Sequence, residues 1–180
     1  FSFLAFTPIR AGEKNLVMHY DVDLTKTGSD SFYVTLAVQG LTGDSAVFQF
    51  ASTAPGTYEV ENAGRFVGSF KALDASGKEL PAYKSSTNQF VIKNSKSLSK
   101  LSYQIDDSYD SETKPVPLPM CGSNLEKDNA IVNAQMVFGF FKGHQSNPMK
   151  ITYHYPKEWK LGTALEEKNG SFQVESFDQL

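Results

Sequence analysis

Apolar and polar residues alternate with a period of two through most of this chain, and that pattern leaves few architectures open. Leu16, Met18, Tyr20, Val22 and Leu24 occupy one phase of the first such stretch, with Val17, His19, Asp21 and Asp23 in the other. Successive side chains of an extended strand point to opposite faces, so this is a strand with one face on a core. Phe32, Val34, Leu36 and Val38 repeat the pattern, as do Leu101, Tyr103 and Ile105, and then Ile151, Tyr153 and Tyr155. Gln89–Lys93 reads as a short strand, and Ala130–Phe141, the most apolar run, as a core strand. Turn signals punctuate these stretches at Thr27-Gly28-Ser29-Asp30, Gly40–Asp44, Ala75-Ser76-Gly77-Lys78 and Asn94-Ser95. Asn169-Gly170 is the strongest hairpin signal, because both residues accept the positive φ that a type I′ turn demands. No stretch sustains a helical period. About nine short strands, with turns every eight to twelve residues or so, predict an all-β fold, an antiparallel β-sandwich.

Residues 106–129 break the alternation. Pro115, Pro117 and Pro119 cannot lie inside a central strand, so one long irregular loop is expected there. A loop of this length within a compact domain is either functional or mobile. The chain has 180 residues, enough for one well-packed core. Residues 16–180 read as a single β-sandwich domain, and residues 1–15 as an N-terminal extension. Phe1–Ala11 (FSFLAFTPIRA) fits the tail of a signal-peptide apolar region and, equally, an ordinary first strand. No run approaches the roughly 20 apolar residues of a membrane-spanning helix. The net charge of −3, with both signs interspersed, gives no basis for binding nucleic acid or an anionic membrane. A single cysteine, Cys121, excludes an internal disulfide and a cysteine-based zinc site. It leaves the compartment open, with export to the periplasm or beyond slightly favoured over the cytoplasm.

The most informative stretch runs from Phe48 to Leu73, FQFASTAPGTYEVENAGRFVGSFKAL. It opens as a strand with Phe48 and Phe50 on one face, and breaks at Ala54-Pro55-Gly56-Thr57-Tyr58. It resumes after Arg65 as a second apolar run of Phe66, Val67, Phe70 and Leu73. Pro-Gly suits the centre of a type II turn, since proline presets φ and glycine accepts a positive φ. The backbone therefore reverses at a rim to which Tyr58 and Arg65 are delivered.

This stretch, F-x-F-x-x-x-x-P-G-x-Y followed by an Arg, an apolar run and A-x-D-x-x-G, resembles the N-terminal domain of the glycyl aminopeptidase family. These are zinc metallopeptidases of the thermolysin-like group that often end in a PDZ domain. Further matching pieces follow in order: Ala72–Gly77, Leu101–Ile105, Val132-Asn133-Ala134, Tyr155–Lys160 and Phe172–Leu180. Together they span roughly residues 16–180. The chain departs from the family at Ala51 and Thr53, where Pro and Trp are frequent.

The resemblance implies a non-catalytic domain that packs on a C-terminal catalytic domain of the same polypeptide and limits access to its cleft. Peptide substrate would be met only through that domain. Pro55, Gly56, Tyr58 and Arg65 are the residues it points to as an inter-domain or cleft rim. Tyr58 would offer an apolar body with a hydroxyl, and Arg65 a fork for a carboxylate. An exposed apolar patch is expected where the catalytic domain would sit, a patch that a homodimer of the isolated fragment would also bury.

Residue chemistry agrees with a chain that has no catalytic, metal or cofactor residues of its own. Zinc peptidases of this group carry His-Glu-x-x-His on a helix. His19, His144 and His154 are the only histidines, and none begins that motif. Zinc is therefore expected in the catalytic domain of the parent. His19 and His154 fall on the polar faces of strands and would approach a shared metal only if those strands pair. Asp106, Ser108, Asp110 and Glu112 resemble the opening of a calcium loop, but its sixth and twelfth positions are Ser111 and Pro117 instead of Gly and Glu. Cys121 would need a neighbouring base to act as a nucleophile. Asn169-Gly170-Ser171 satisfies the glycosylation pattern, although a tight turn explains it equally. Tyr33, Tyr58, Tyr83, Tyr109 and Trp159 are the aromatics left outside the core phase. They sustain a competing class, a free-standing module that binds glycan or protein.

Overall fold

The computed structural model of the chain describes residues 16–54, 56, 57 and 59–180. Phe1–Ala11, Pro55 and Tyr58 lie outside the described residues. The strands are β1 (Val17–Asp23), β2 (Ser31–Gln39), β3 (Ser45–Phe50), β4 (Val67–Asp74), β5 (Glu79–Leu80), β6 (Ala82–Ser86) and β7 (Gln89–Lys93). They continue as β8 (Leu98–Asp106), β9 (Asn124–Leu125), β10 (Ala130–Ile131), β11 (Gly139–Phe141), β12 (Met149–His154), β13 (Glu166–Lys168) and β14 (Ser171–Val174). One turn of helix, α1 (Ala134–Val137), precedes β11.

An eight-stranded sheet in the order β13-β14-β12-β1-β2-β8-β4-β5 faces a four-stranded sheet, β11-β3-β7-β6, with a two-stranded ribbon, β10-β9, beside them. The all-β sandwich is thus present, with two departures from the expected form. Fourteen strands occur among the described residues instead of about nine. The additional ones, such as β5, β9, β10 and β13, span only two or three residues, too few to display a period. The sheet is also not wholly antiparallel, because β1 pairs in parallel with β12 (Met18 opposite Met149, Asp23 opposite His154). A parallel pair needs a long crossover, and here most of the chain supplies it.

The alternating phases point where expected. Leu16, Met18, Tyr20, Val22, Phe32, Val34, Leu36, Val38, Leu101, Tyr103 and Ile105 are all buried. Between the sheets lies an aromatic cluster. Phe48 of β3 packs edge-on against Phe50 and Phe141, and Phe70 of β4 stacks on Phe90 of β7 with centroids 4.2 Å apart. Each fully buried ring of this kind stabilises the fold by about 1.5–3 kcal/mol in transfer terms.

Ala130–Phe141 is not one core strand. It divides into β10, α1 and β11, with Gln135 through Gly139 buried in succession. Two tyrosines of the large sheet explain the break: Tyr20 donates its hydroxyl to the Gly139 carbonyl (2.6 Å) and Tyr103 to that of Val137 (2.9 Å). Burial raises the pKa of both phenols, so they remain donors. Gly139 admits no larger residue, since a Cβ would lie 2.5 Å from the Phe48 ring and 2.8 Å from the Gln49 carbonyl.

Candidate functional site

At the end of β3 the chain leaves the sheet, turns and returns, forming a corner held by main-chain bonds. Thr57 N–H and its hydroxyl both donate to the Ala54 carbonyl (3.2 and 2.7 Å), and Gly56 has φ +80°, the value of the third residue of a type II turn. Glu61 and Asn62 N–H donate to Ser52 O at 2.8 and 2.9 Å, and Ala63 N–H to Ala51 O at 2.9 Å. Asn62 takes the left-handed conformation (φ 52°) to make the return, and a short 3-10 turn, Ala63–Phe66, leads into β4.

Asn88, only 7% exposed, is the hub of this corner. Its Oδ1 accepts the Gly64 N–H at 3.0 Å, while its Nδ2 donates to Ser52 Oγ (3.0 Å) and Asn62 Oδ1 (2.7 Å). Gly64 is obligatory beneath it, because a Cβ would fall 2.4 Å from the Thr87 carbonyl. Lys84 closes the other side, donating to Gly64 O at 2.8 Å, and partial burial lowers its pKa.

Arg65 is placed at the rim but faces inward. Its Nε donates to the Glu61 carbonyl at 2.7 Å and its Nη1 to the Pro115 carbonyl, while the guanidinium lies over the Phe66 ring at 4.5 Å. Nη2 stands 3.7 Å from Glu61 Oε2. With 14% of its side chain exposed, Arg65 is a strut between the corner and the long loop, and its fork is occupied. Glu61 is buried at 4% exposure and completes the strut from the other side, accepting the Leu118 N–H at 3.2 Å. Nothing in the local sequence marked Glu61 or Asn88, because neither belongs to a motif or a period. Cys121 is buried against the same carboxylate. Burial, then the Glu61 charge and hydrogen bond, push its thiol pKa up, which makes it a poor nucleophile.

The loop expected to be irregular is pinned at its base. Asp107, buried, accepts N–H bonds from Tyr109 (2.8 Å) and Leu125. Ser108 and Ser123 exchange main-chain and hydroxyl bonds, and the Ser123 hydroxyl accepts the Asn133 N–H at 2.9 Å. Asn133 in turn donates to the Met120 carbonyl at 3.1 Å. Three segments, 51–66, 106–125 and 130–135, are thereby tied into one rim. Four large apolar side chains stand out from it: Val60 (66% exposed), Val116 (42%), Met120 (72%) and Ile131 (52%). Gly56, Thr57, Met120, Asn133, Gln135 and Leu180 line a groove across the rim, so residue 180 adjoins the Pro-Gly corner.

The other sequence candidates do not converge on a site. The strands bearing His19 and His154 do pair, but His19 stands opposite Lys150 and His154 opposite Asp23, four positions apart or roughly 13 Å. His19 Nε2 instead meets Thr152 Oγ1 at 2.8 Å, and His154 Nε2 meets Asp21 Oδ1 at 3.1 Å. Ser108 turns inward to Ser123, away from any calcium position. No group of three His, Cys, Asp or Glu is placed to hold a metal among the described residues. Asn169 and Gly170 have φ of 54° and 77° between β13 and β14, the I′ hairpin their sequence predicts. Tyr33 lies under Lys26 at 4.4 Å, Tyr109 bonds the Pro119 carbonyl, and Tyr83 is exposed on β6.

A family model described as the Peptidase M61 N-terminal domain matches residues 19–180. The chain belongs to that family. The M61 N-terminal domain fold recurs in the crystal structure of an aminopeptidase N family protein from Idiomarina loihiensis, at 20% identity and a TM-score of 0.78. That match covers 91% of this chain and 28% of that one, so the M61 N-terminal domain spans well under half of it. A variant of the M1 zinc metallopeptidase from Deinococcus radiodurans bound to a Tyr-Ser-Ala substrate matches over 89% of this chain and 38% of that one, at 13% identity and a TM-score of 0.37. No curated protein matches the chain.

Proposed function

We propose that this chain is the non-catalytic N-terminal β-domain of a zinc-dependent, glycyl aminopeptidase-like metallopeptidase. Residues 16–180 act as one domain that packs on the catalytic domain of the same polypeptide and shapes access to its cleft. The observation that carries this reading is the rim itself. Val60, Val116, Met120 and Ile131 stand exposed on segments that a polar network holds in place, beside Leu180, where a continuing polypeptide would depart. Apolar side chains presented on a fixed frame gain about 25 cal/mol per Å² when a partner covers them. Family membership supplies the class of partner, and the 28% coverage of the Idiomarina protein leaves room for it.

In this reading Pro55, Gly56 and Tyr58 form the crest of the contact surface. Arg65 serves it as a strut through Glu61 and Pro115, without itself reaching the substrate. Zinc belongs to the catalytic domain, and no step of the hydrolysis runs through the residues described above. The 180-residue chain, incubated with zinc and glycyl- or alanyl-anilides, is expected to show no turnover. Metal-dependent hydrolysis by the pure chain would overturn the assignment. In the full-length parent, Met120→Asp should expose the junction between the domains to limited proteolysis, and an unchanged digestion pattern would remove this face from consideration.

A further inference from the structure

Segment 130–133 is extended, and its two faces look onto different concavities. Asn133 lines the rim groove, whereas Ala130 and Val132 line a second pocket on the other side. That pocket sits at the end of β12, where Leu24 N–H donates to the His154 carbonyl at 2.7 Å and prolongs the parallel pairing. Tyr153 and Tyr155 lie two residues apart in one strand phase. After Pro156 the chain turns back, with Trp159 N–H bonded to the Pro156 carbonyl at 3.0 Å, and brings the indole into the same pocket. The family match and the docking reading give these three rings no role.

Size and chemistry restrict what fits. The cavity is about 160 Å³, and a cavity of roughly 150 Å³ accommodates one benzene ring. Its walls are aromatic (Tyr153, Tyr155, Trp159) and aliphatic (Val132, Leu161). Two polar groups meet this space. The Tyr153 hydroxyl makes no hydrogen bond to the described residues, and Lys160 forms no ion pair among them. An apolar box for one ring, with one hydroxyl and one cation at its edge, is complementary to a ring bearing a carboxylate. Aliphatic walls offer a sugar's many hydroxyls nothing to bond. Because Lys160 borders the same one-ring space, the carboxylate must sit on the residue that carries the ring.

We propose that this pocket binds the C-terminal aromatic residue of a peptide, with its ring between Tyr153, Tyr155 and Trp159 and its free carboxylate at Lys160. The site is separate from the rim and does not depend on the docking reading. Trp159 is the only tryptophan, so its fluorescence reports occupancy directly. The 180-residue chain is titrated with N-acetyl-L-phenylalanine, N-acetyl-L-phenylalaninamide and methyl α-glucoside, with two-dimensional NMR shifts as a second readout. A saturable change with N-acetyl-L-phenylalanine at a Kd of about a millimolar is expected, as suits a ligand this small. The amide should bind about threefold more weakly, and Lys160→Gln, at an exposed position, should erase that difference while leaving amide binding unchanged. Tyr155→Ala should weaken both ligands. No saturable response, equal binding of acid and amide, or a response to the glucoside alone would each overturn the proposal.

Discussion

The aromatic core and the Pro-Gly rim are built by opposite means from neighbouring stretches of chain. Phe48, Phe50, Phe70, Phe90 and Tyr103 interlock through apolar contact, and each is placed by the plain alternation of its strand. The rim has no such regularity. Asn88, Glu61, Arg65, Asp107 and the Ser108–Ser123 pair hold it by bonding side chains to main-chain groups 15–50 residues away. Contact energy in the core is spread over many atoms and tolerates local adjustment. Each rim bond, by contrast, satisfies a particular buried donor or acceptor, and its loss leaves that group without a partner. A domain that must present a fixed surface to a neighbour benefits from the second kind of construction.

Removing one residue from each region should separate the two. Phe48→Ala deletes the ring at the centre of the cluster and is expected to cost about 3–5 kcal/mol, read as a drop in the denaturation midpoint with the slope unchanged. Asn88→Ala, at the rim, should cost less, about 1–3 kcal/mol, because Gly64 N–H loses its acceptor while the apolar core is untouched. It should also have a local signature, faster amide exchange at Gly64 and across 51–66 ahead of global unfolding. If Phe48→Ala loosened only the corner, or Asn88→Ala unfolded the whole chain as deeply, the division drawn between the regions would be wrong.

The same contrast explains what could be read from the residues. Strands β1, β2, β3, β8 and β12 were legible because apolar side chains recur at every second position over at least five residues. The Asn169-Gly170 hairpin was legible because local backbone conformation alone requires those residues. Ala130–Phe141 misled because high apolarity is common to a buried strand and to a buried helical turn. What broke the strand there, the hydroxyls of Tyr20 and Tyr103, comes from residues 34 and 119 positions distant. At the rim, the Pro-Gly reversal and the location of Arg65 were visible, but its orientation was not. Glu61 carries no motif, and its role arises only once Leu118, Cys121 and Arg65 converge on it.

Two aspartates offer the finest test of the comparison, since both accept main-chain N–H bonds but should titrate in opposite senses. Asp74, in the exposed turn after β4, accepts the Ser76 hydroxyl (2.7 Å) and the N–H groups of Ser76 (2.9 Å) and Lys78 (3.0 Å). The Ser76 hydroxyl bond chiefly, with the main-chain bonds, holds its pKa below the ordinary 3.8. Asp107 is buried at the base of the rim loop, and desolvation outweighs its bonds from Leu125 and Tyr109, so its pKa is raised. For Asp74 the folded value lies below the unfolded one; its contribution to stability is present above the unfolded pKa and is lost as pH falls through the folded pKa. For Asp107 the order reverses, and its contribution is full below the unfolded pKa and is lost as pH rises through the folded pKa. Carboxyl-carbon NMR titration should therefore place the Asp107 midpoint above 3.8 and that of Asp74 below it. An Asp107 midpoint below that of Asp74 would mean that the loop base is solvated, and that the rim is not the closed polar frame its hydrogen bonds describe.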